Sequence, residues 1–211
     1  VVAFVAASAA VGWLLFEASK DLPDYESLAR YEPPVMTRIH AHDGSLIAEY
    51  ARERRIFVPI NTIPKRVIAA FLSAEDARFY EHGGIDRLAR LHALWQNAKA
   101  FGAVRGASTI TEQVVRMWHP RKRSLWSRFL EGIEAIRLEK KCSKADIFEF
   151  YLNQVPYAGN RRGVFQAARA CFDRDLDTLS RKEMLALVVM VRAPSRLNLH
   201  RNETGVAAPV A

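Results

Sequence analysis

Helical patterning over residues 64–194 is the feature of this sequence that most constrains its fold. Apolar residues recur three or four positions apart over 67–72, which predicts an amphipathic helix that ends near Glu75. Further helices are predicted at 87–100, 109–118, 125–141, 143–153 and from 180 to a point before Pro194. Three of these begin with a hydroxyl residue followed three positions later by a carboxylate, which is a capping-box pattern. The sequence therefore predicts a mainly α domain.

A small β element is predicted ahead of these helices. Residues 35–50 read as a hairpin around Asp43 and Gly44, a dipeptide that is typical of tight turns. Residues 56–60 are predicted to add a short strand. We expect this β element to lie near the membrane, because an apolar segment precedes it.

That apolar segment is the first 16 residues, which carry no charge. As a helix they span about 24 Å at roughly 1.5 Å per residue, against about 30 Å for a bilayer core. We therefore predict a transmembrane anchor over 1–18 that is truncated at its start. A signal peptide cleaved near Ala7-Ser8-Ala9 and a buried core helix are the alternatives. The other predicted segments are a connector at 19–34, the main domain at 35–202 and a tail or linker at 203–211.

Positive charge is concentrated in one stretch. The chain has 31 Lys and Arg against 23 Asp and Glu, and residues 116–141 alone hold eight basic and three acidic residues. Such a face can bind anionic headgroups, a pyrophosphate or a nucleic acid. The alternative is a solvated helix whose charges pair with one another.

The cysteines and histidines do not predict a metal centre. Two cysteines, Cys142 and Cys171, exclude a disulfide scaffold and a four-cysteine zinc site. We expect two buried thiols, with one disulfide bridge as the alternative. Strand alternation places His40 and His42 on one face near the predicted turn, but two imidazoles do not complete a metal site, and we expect none.

Glu75 is the first candidate for catalysis. It ends a predicted helix beside Asp76 and is followed by His82. A carboxylate beside an apolar patch can act as an acid or a base. The alternative is a solvated helix end. A second candidate is the segment GASTITEQ at 106–113, whose helix N-terminus suits a pyrophosphate or is simply an ordinary cap.

Taken together, five segments resemble the motifs of glycosyltransferase family 51, the peptidoglycan glycosyltransferases, in the family's order. They are EDARFYEHGGID at 75–86, GASTITEQ at 106–113, RFLE at 128–131 with RLE at 137–139, IFEFYLN at 147–153 with YAGNRRG at 157–163, and LSRKE at 179–183 through RAPSRLN at 192–198. The family occurs in class A penicillin-binding proteins and in monofunctional transglycosylases. Because no Ser-x-x-Lys stands at a plausible helix start, we expect no transpeptidase centre in this chain.

The resemblance implies a lysozyme-like, bilobed domain that polymerises lipid II on the outer side of the bacterial cytoplasmic membrane. It implies that Glu75 is the general base for the acceptor's 4-hydroxyl, which attacks the donor's anomeric carbon with inversion and releases undecaprenyl pyrophosphate. Glu131 is the implied second catalytic carboxylate, on the donor side. No cofactor is implied as a requirement, although a divalent cation such as Mg²⁺ or Mn²⁺ stimulates some members.

The same match implies the substrate-binding residues. Arg116 and Arg128 are expected at the pyrophosphate, because a departing anion needs charge stabilisation more than it needs a proton. The full expected set is Asp76, Phe79, His82, Ser108, Thr111, Gln113, Arg116, Arg128, Asn153, Gly159 and Asn160. The implied partners are lipid II, the growing glycan chain, an anionic membrane surface and other proteins of cell-wall synthesis, but no nucleic acid.

A few positions depart from the family pattern. Glu112 stands where the family usually has Gln, which adds a negative charge near an anionic substrate. Met117 replaces a usual Asn, and Ser127 precedes Arg128 where the family usually has Arg-Lys. The changes at Glu112 and Met117 favour an alternative function, a catalytically weak, membrane-anchored scaffold that binds lipid II. A glycan-cleaving enzyme is a further alternative, but the basic segment disfavours it because a neutral glycan bond has no pyrophosphate to hold.

Overall fold

The computed structural model describes residues 37–50, 56–99, 107–159 and 161–192, with scattered helical positions among the first 16 residues. Seven α-helices lie between residues 56 and 192: α1 (Lys65–Glu75), α2 (Arg87–Lys99), α3 (Ile110–Trp118), α4 (Leu125–Lys141), α5 (Lys144–Gln154), α6 (Val164–Phe172) and α7 (Arg181–Arg192). The predicted mainly α class is confirmed, and so are the positions of the predicted helices. Only α6 was not predicted.

The predicted hairpin is confirmed. Strand β1 (Thr37–His40) pairs antiparallel with β2 (Leu46–Tyr50). Gly44 occupies the turn with a φ of +83°, a conformation that favours glycine. The Asp43 carboxylate accepts a hydrogen bond from the Ser45 amide at 2.9 Å and closes the turn.

The strand predicted at 56–60 is wrong. This segment has extended backbone that leads into a turn of 3-10 helix at Ile60–Thr62, and side chains of α5 take the place of a neighbouring strand. Asn153 accepts a hydrogen bond from the Val58 amide at 2.8 Å and donates one to the Val58 carbonyl at 2.9 Å. The Glu149 carboxylate accepts another from the Ile60 amide at 2.7 Å. The β-like sequence pattern is therefore satisfied by a helix rather than by a sheet.

Helix α5 forms the centre of the core. Ile147, Phe148, Tyr151 and Leu152 are completely buried in it, each worth roughly 1.5–3 kcal/mol in removed apolar surface. The Phe71 ring of α1 meets the Tyr151 ring edge-on, with centroids 6.4 Å apart. The apolar stripe predicted for α1 is therefore the face that packs into this core.

A second, very short sheet follows α5 and was not predicted. Strand β3 (Pro156–Tyr157) pairs antiparallel with β4 (Arg161–Arg162), and α6 begins directly afterwards. Gly163 makes this connection with a φ of +84°, where a Cβ would lie 2.8 Å from the Asn153 carbonyl oxygen. Only glycine allows the chain to pass this close to the end of α5.

Both cysteines are free thiols in the described structure. Cys142 is buried as expected, whereas Cys171 is only half-buried. Burial raises the pKa of each thiol above its ordinary value, so both favour the unreactive protonated form.

The anchor predicted over 1–18 falls mostly on residues outside the described part of the chain. In the part that the structure describes, no helix is long and apolar enough to cross a membrane. The connector at 19–34 and the tail at 203–211 lie entirely outside the described residues.

Replacing Asn153 with alanine should lower the free energy of unfolding by about 1–3 kcal/mol, because the amide and carbonyl of Val58 lose their partners in a partly buried place. Thermal or urea unfolding measures the effect. Asn61→Ala, at an exposed position of the same segment, is the matched control and should leave the midpoint unchanged. Equal midpoints for both variants would contradict this account of residues 56–60.

Candidate active site

The N-terminus of α3 is the structural anchor of the candidate site. Asp76, directly after α1, accepts a hydrogen bond from the Ile110 amide at 3.0 Å. Thr109 caps the helix by accepting from the Glu112 amide at 3.2 Å, and Glu112 accepts from the Thr109 amide at 2.9 Å. The predicted capping box is confirmed. It satisfies helix amides that would otherwise be buried without partners.

The loop after α1 is held against the same helix start. The Thr109 hydroxyl donates to the Gly84 carbonyl oxygen at 2.7 Å. Gly84 has a φ of +93°, and a Cβ there would lie 2.6 Å from the backbone of Ala135 in α4. A side chain at this position would push the loop away from both helices.

Two side chains on one face of α3 reach the two predicted catalytic carboxylates. Gln113 donates from its side-chain amide to Glu75 at 3.1 Å. Arg116, one helical turn further along, donates to Glu131 from Nε at 3.2 Å and from Nη2 at 2.8 Å. Arg116 Nη2 also donates to the Ser108 hydroxyl at 3.1 Å. Helix α3 therefore organises both carboxylates.

A cleft of about 310 Å³ lies between the end of α1, one side of α2 and the start of α3. Its lining includes Glu75, Asp76, Arg78, His92, Gln96 and Ser108. Glu75 is half-buried here, so its carboxylate is accessible from the cleft. Three of the predicted site residues, Glu75, Asp76 and Ser108, therefore share one cavity.

Three of the predicted substrate-binding residues are buried and make internal contacts, and their role at the substrate stays a prediction. Phe79 is completely buried, with its ring centroid 5.7 Å from that of Phe148. Thr111 is also completely buried and donates to Glu139 at 2.5 Å. Asn153 is buried against residues 56–60, as described above. These three side chains therefore contribute to the internal packing around the site.

His82 and Asp76 form a buried pair next to Glu75. His82 Nε2 lies 3.0 Å from both carboxylate oxygens of Asp76. Asp76 therefore holds the imidazole as well as the start of α3, although it also lines the cleft. Both residues are placed so that they fix the position of the loop that follows Glu75.

The remaining predicted residues lie elsewhere. Arg128 is exposed in the first turns of α4. Gly159 is exposed between β3 and β4, with a φ of +75° that favours glycine. Asn160 lies outside the described residues.

Glu112 does not present a free charge to the substrate, which corrects the sequence expectation. Its carboxylate is only 3% exposed and caps α3. It also forms an ion pair with Arg90 of α2. Met117 packs against the hydrophobic core. Both departures from the family pattern thus have structural partners inside the domain.

Sequence reasoning missed the α2 wall of the cleft. His92 and Gln96 both line it, and their side chains lie 3.1 Å apart. Their spacing of four positions on a predicted helix was the available signal. Asp86 was also missed as a determinant of this wall, although it caps α2 by accepting from the Ala89 amide at 2.8 Å.

Tyr157 is a buried phenol close to the site. Burial, and then the charges of Tyr151, Cys171 and Glu75, raise its pKa well above the ordinary value. The Tyr157 phenol, close enough to Glu75 to interact with its charge, therefore stays protonated and neutral.

Among residues 37–50, 56–99, 107–159 and 161–192, no three His, Cys, Asp or Glu side chains are grouped so that they could hold a metal ion. Stimulation by a divalent cation stays a prediction.

The family of the chain follows from comparison with known proteins. The family model described as "Transglycosylase" matches residues 43–209. Penicillin-binding protein 1A of Rickettsia felis is 40% identical over 200 residues, which are 93% of this chain and 25% of that protein. The protein of the same name from Escherichia coli is 37% identical over 179 residues, or 84% of this chain and 21% of that protein. The chain belongs to the transglycosylase family, and its identification as a peptidoglycan glycosyltransferase is confirmed.

The chain spans about a quarter or less of the length of these relatives. A solved structure of penicillin-binding protein 1A from Haemophilus influenzae is 22% identical, with a TM-score of 0.46 over 85% of this chain and 17% of that chain.

Asp86 should make the stability of the domain sensitive to acid. Burial raises its pKa, but the Ala89 amide and the Arg78 guanidinium outweigh burial, and the pKa lies below its usual value. The ionised form thus stabilises the folded state above pH about 4, and this contribution is lost as the pH falls further. Asp86→Asn should therefore flatten the decline of the unfolding free energy between about pH 5 and 3.

Urea unfolding at several pH values measures that slope. Asp177→Asn, at an exposed position, is the matched control and should keep the wild-type slope. If the unfolding free energies of Asp86→Asn and the wild type fell in parallel as the pH is lowered, this would contradict the role assigned to the Asp86 carboxylate.

Proposed function

We propose that this chain polymerises glycan chains of peptidoglycan from lipid II. Glu75 takes the proton of the acceptor's 4-hydroxyl while that oxygen forms a bond to the donor's anomeric carbon. The bond from that carbon to the pyrophosphate breaks, undecaprenyl pyrophosphate leaves, and the configuration inverts from α to β. The observation that carries this proposal is the single face of α3 that reaches both carboxylates in a chain of this family.

The two carboxylates differ in a way that favours Glu75 as the base. Glu75 receives a hydrogen bond from the neutral amide of Gln113 and lines the cleft. Glu131 is buried and bound to the Arg116 guanidinium through two nitrogen atoms. The Arg116 guanidinium occupies Glu131, whereas the Glu75 carboxylate lines the cleft where a hydroxyl could approach it. Glu131 therefore acts by holding Arg116 in position on the donor side.

The leaving pyrophosphate is assigned to Arg116 and Arg128. The Arg116 side chain is 40% exposed while Glu131 and Ser108 hold two of its nitrogen atoms, so it is oriented but still accessible to an anion. Because its charge is shared with Glu131, a second cation is needed. The exposed Arg128, about one turn of α4 before Glu131, supplies this second positive charge.

The membrane is the proposed location, with the domain on the outer face of the bacterial cytoplasmic membrane and an anchor at the N-terminal segment. Large apolar side chains are exposed on α2 and at the start of α4, and they are Leu88, Leu91, Leu94, Trp95, Leu125, Trp126 and Phe129. The exposed Lys122 and Arg123 immediately precede the α4 group. Apolar side chains next to cations suit an anionic lipid surface.

The scaffold alternative has lost its support from the sequence. It rested on Glu112 and Met117, and both have structural partners within the domain. It remains an outcome of the activity assay, as lipid II binding without polymerisation.

Replacing Glu75 with Gln should reduce polymerisation of labelled lipid II at least about a hundredfold, because the amide cannot accept the hydroxyl proton. The assay uses the detergent-solubilised chain and follows glycan on gels. Glu81→Gln, which removes the same charge from an exposed position, is the control and should remain active. Polymerisation by Glu75→Gln at the wild-type rate would remove Glu75 from its role.

Binding to vesicles of anionic phospholipid should weaken as salt rises, since the Debye length falls from about 10 Å at 0.1 M to about 3 Å at 1 M. Substituting glutamine for both Lys122 and Arg123 should weaken the binding at low salt. The same double substitution at Arg181 and Lys182, two exposed cations of α7, removes equal charge and should have little effect. Co-sedimentation that is independent of salt and of both substitutions would overturn the assigned surface.

A further inference from the structure

Helix α2 forms one wall of the cleft, yet none of its residues is buried. Burial of apolar side chains therefore contributes little to its position. What fixes α2 must lie in its polar contacts. Two such contacts are the Asp86 cap at its first turn and an ion pair in its middle.

That ion pair joins Arg90 of α2 to Glu112 of α3. Glu112 is almost completely buried, while the Arg90 side chain is 38% exposed. The second carboxylate oxygen of Glu112 accepts the Thr109 amide within the capping box. The carboxylate thus connects the α2 wall directly to the first turn of the helix that carries Gln113 and Arg116.

Arg90 also lies against α4. A Cβ on the buried Gly132 would be 3.5 Å from Arg90 Nη2 and 3.7 Å from Nη1. The guanidinium therefore lies close to α4 at the residue that follows Glu131. Arg90 therefore connects α2 to two other elements of the site, α3 and α4, and Glu112 compensates its charge.

We propose that Arg90 and Glu112 are positioning residues that set the distance of the α2 wall from α3 and α4. They act through His92 and Gln96, which lie on α2 and line the same cleft as Glu75. The expected change in kcat rests on the proposed function. The expected change in the position of α2 is independent of that function.

Three variants distinguish this positioning role from a role in which Arg90 only neutralises the charge of the buried Glu112. Arg90→Met leaves the buried Glu112 carboxylate without its partner and should lower both the melting temperature and kcat. Glu112→Gln keeps the cap but releases α2, and it should lower kcat with little change in melting temperature. In the double variant neither position 90 nor position 112 carries a charge, so the melting temperature should return close to the wild-type value.

The decisive result is kcat of the double variant with lipid II. Because α2 is still released, we expect kcat to stay roughly tenfold to a hundredfold below wild type despite restored stability. Arg90→Lys, which keeps the cation, should recover part of the loss. Arg87→Met, at an exposed position of the same helix, is the matched control and should behave as wild type. A double variant with wild-type kcat would overturn the proposal, and if Arg90→Met does not fold, Glu112→Gln and the double variant decide.

Amide hydrogen exchange supplies a readout that needs no substrate. Amides of α2 should exchange faster in Glu112→Gln and in the double variant than in the wild type and in Arg87→Met. Unchanged exchange would overturn the positioning role even if activity fell. If the wild type fails to polymerise lipid II while α2 exchanges faster in the variants, the proposed function fails and the positioning pair stands.

Discussion

The hydrogen bond from the Ile110 amide to Asp76 joins the end of α1 to the start of α3, and the candidate site depends on this junction. A helix start leaves amide groups that must find partners when they are buried. Asp76 and Glu112 provide carboxylates for two of the amides there, those of Ile110 and Thr109. As a consequence Glu75, one residue before Asp76, lies within reach of Gln113 on the next turn of α3.

The second organising feature is a series of buried glutamates that each pair with an arginine from another segment. Glu112 pairs with Arg90, Glu131 with Arg116, and Glu134 with Arg121. Breaking one such pair leaves a buried charge, which costs more than losing an exposed pair. The basic segment at 116–141 therefore has two roles. Arg121 binds inward to Glu134, and Arg116 is held by Glu131 while it stays partly exposed. Lys122, Arg123 and Arg128 are exposed.

The sequence predicted the structural features that depend on residues close together in the chain. Helix starts at Thr109, Ser143 and Ser180 follow from capping chemistry within four residues, and all three are present. The strand predicted at 56–60 failed because its partner is the distant Asn153 side chain, which a local pattern cannot show. The burial of Phe79 and Thr111 likewise depends on distant contacts. A motif match places Phe79 and Thr111 near the site but does not say which way each side chain faces. Arg90 was missed because its role exists only through contacts with α3 and α4.

The proposed function requires the glycan chain to grow in the cleft between α1, α2 and α3. The most direct test is photo-crosslinking of lipid II that carries a photoreactive group on its disaccharide, with labelled residues mapped by mass spectrometry. We expect labels on residues 75–78, 89–96 and 107–109, and we expect them to be lost when unlabelled lipid II competes. Labels confined to other faces of the domain, such as the exposed side of α6 or α7, would contradict the proposed function.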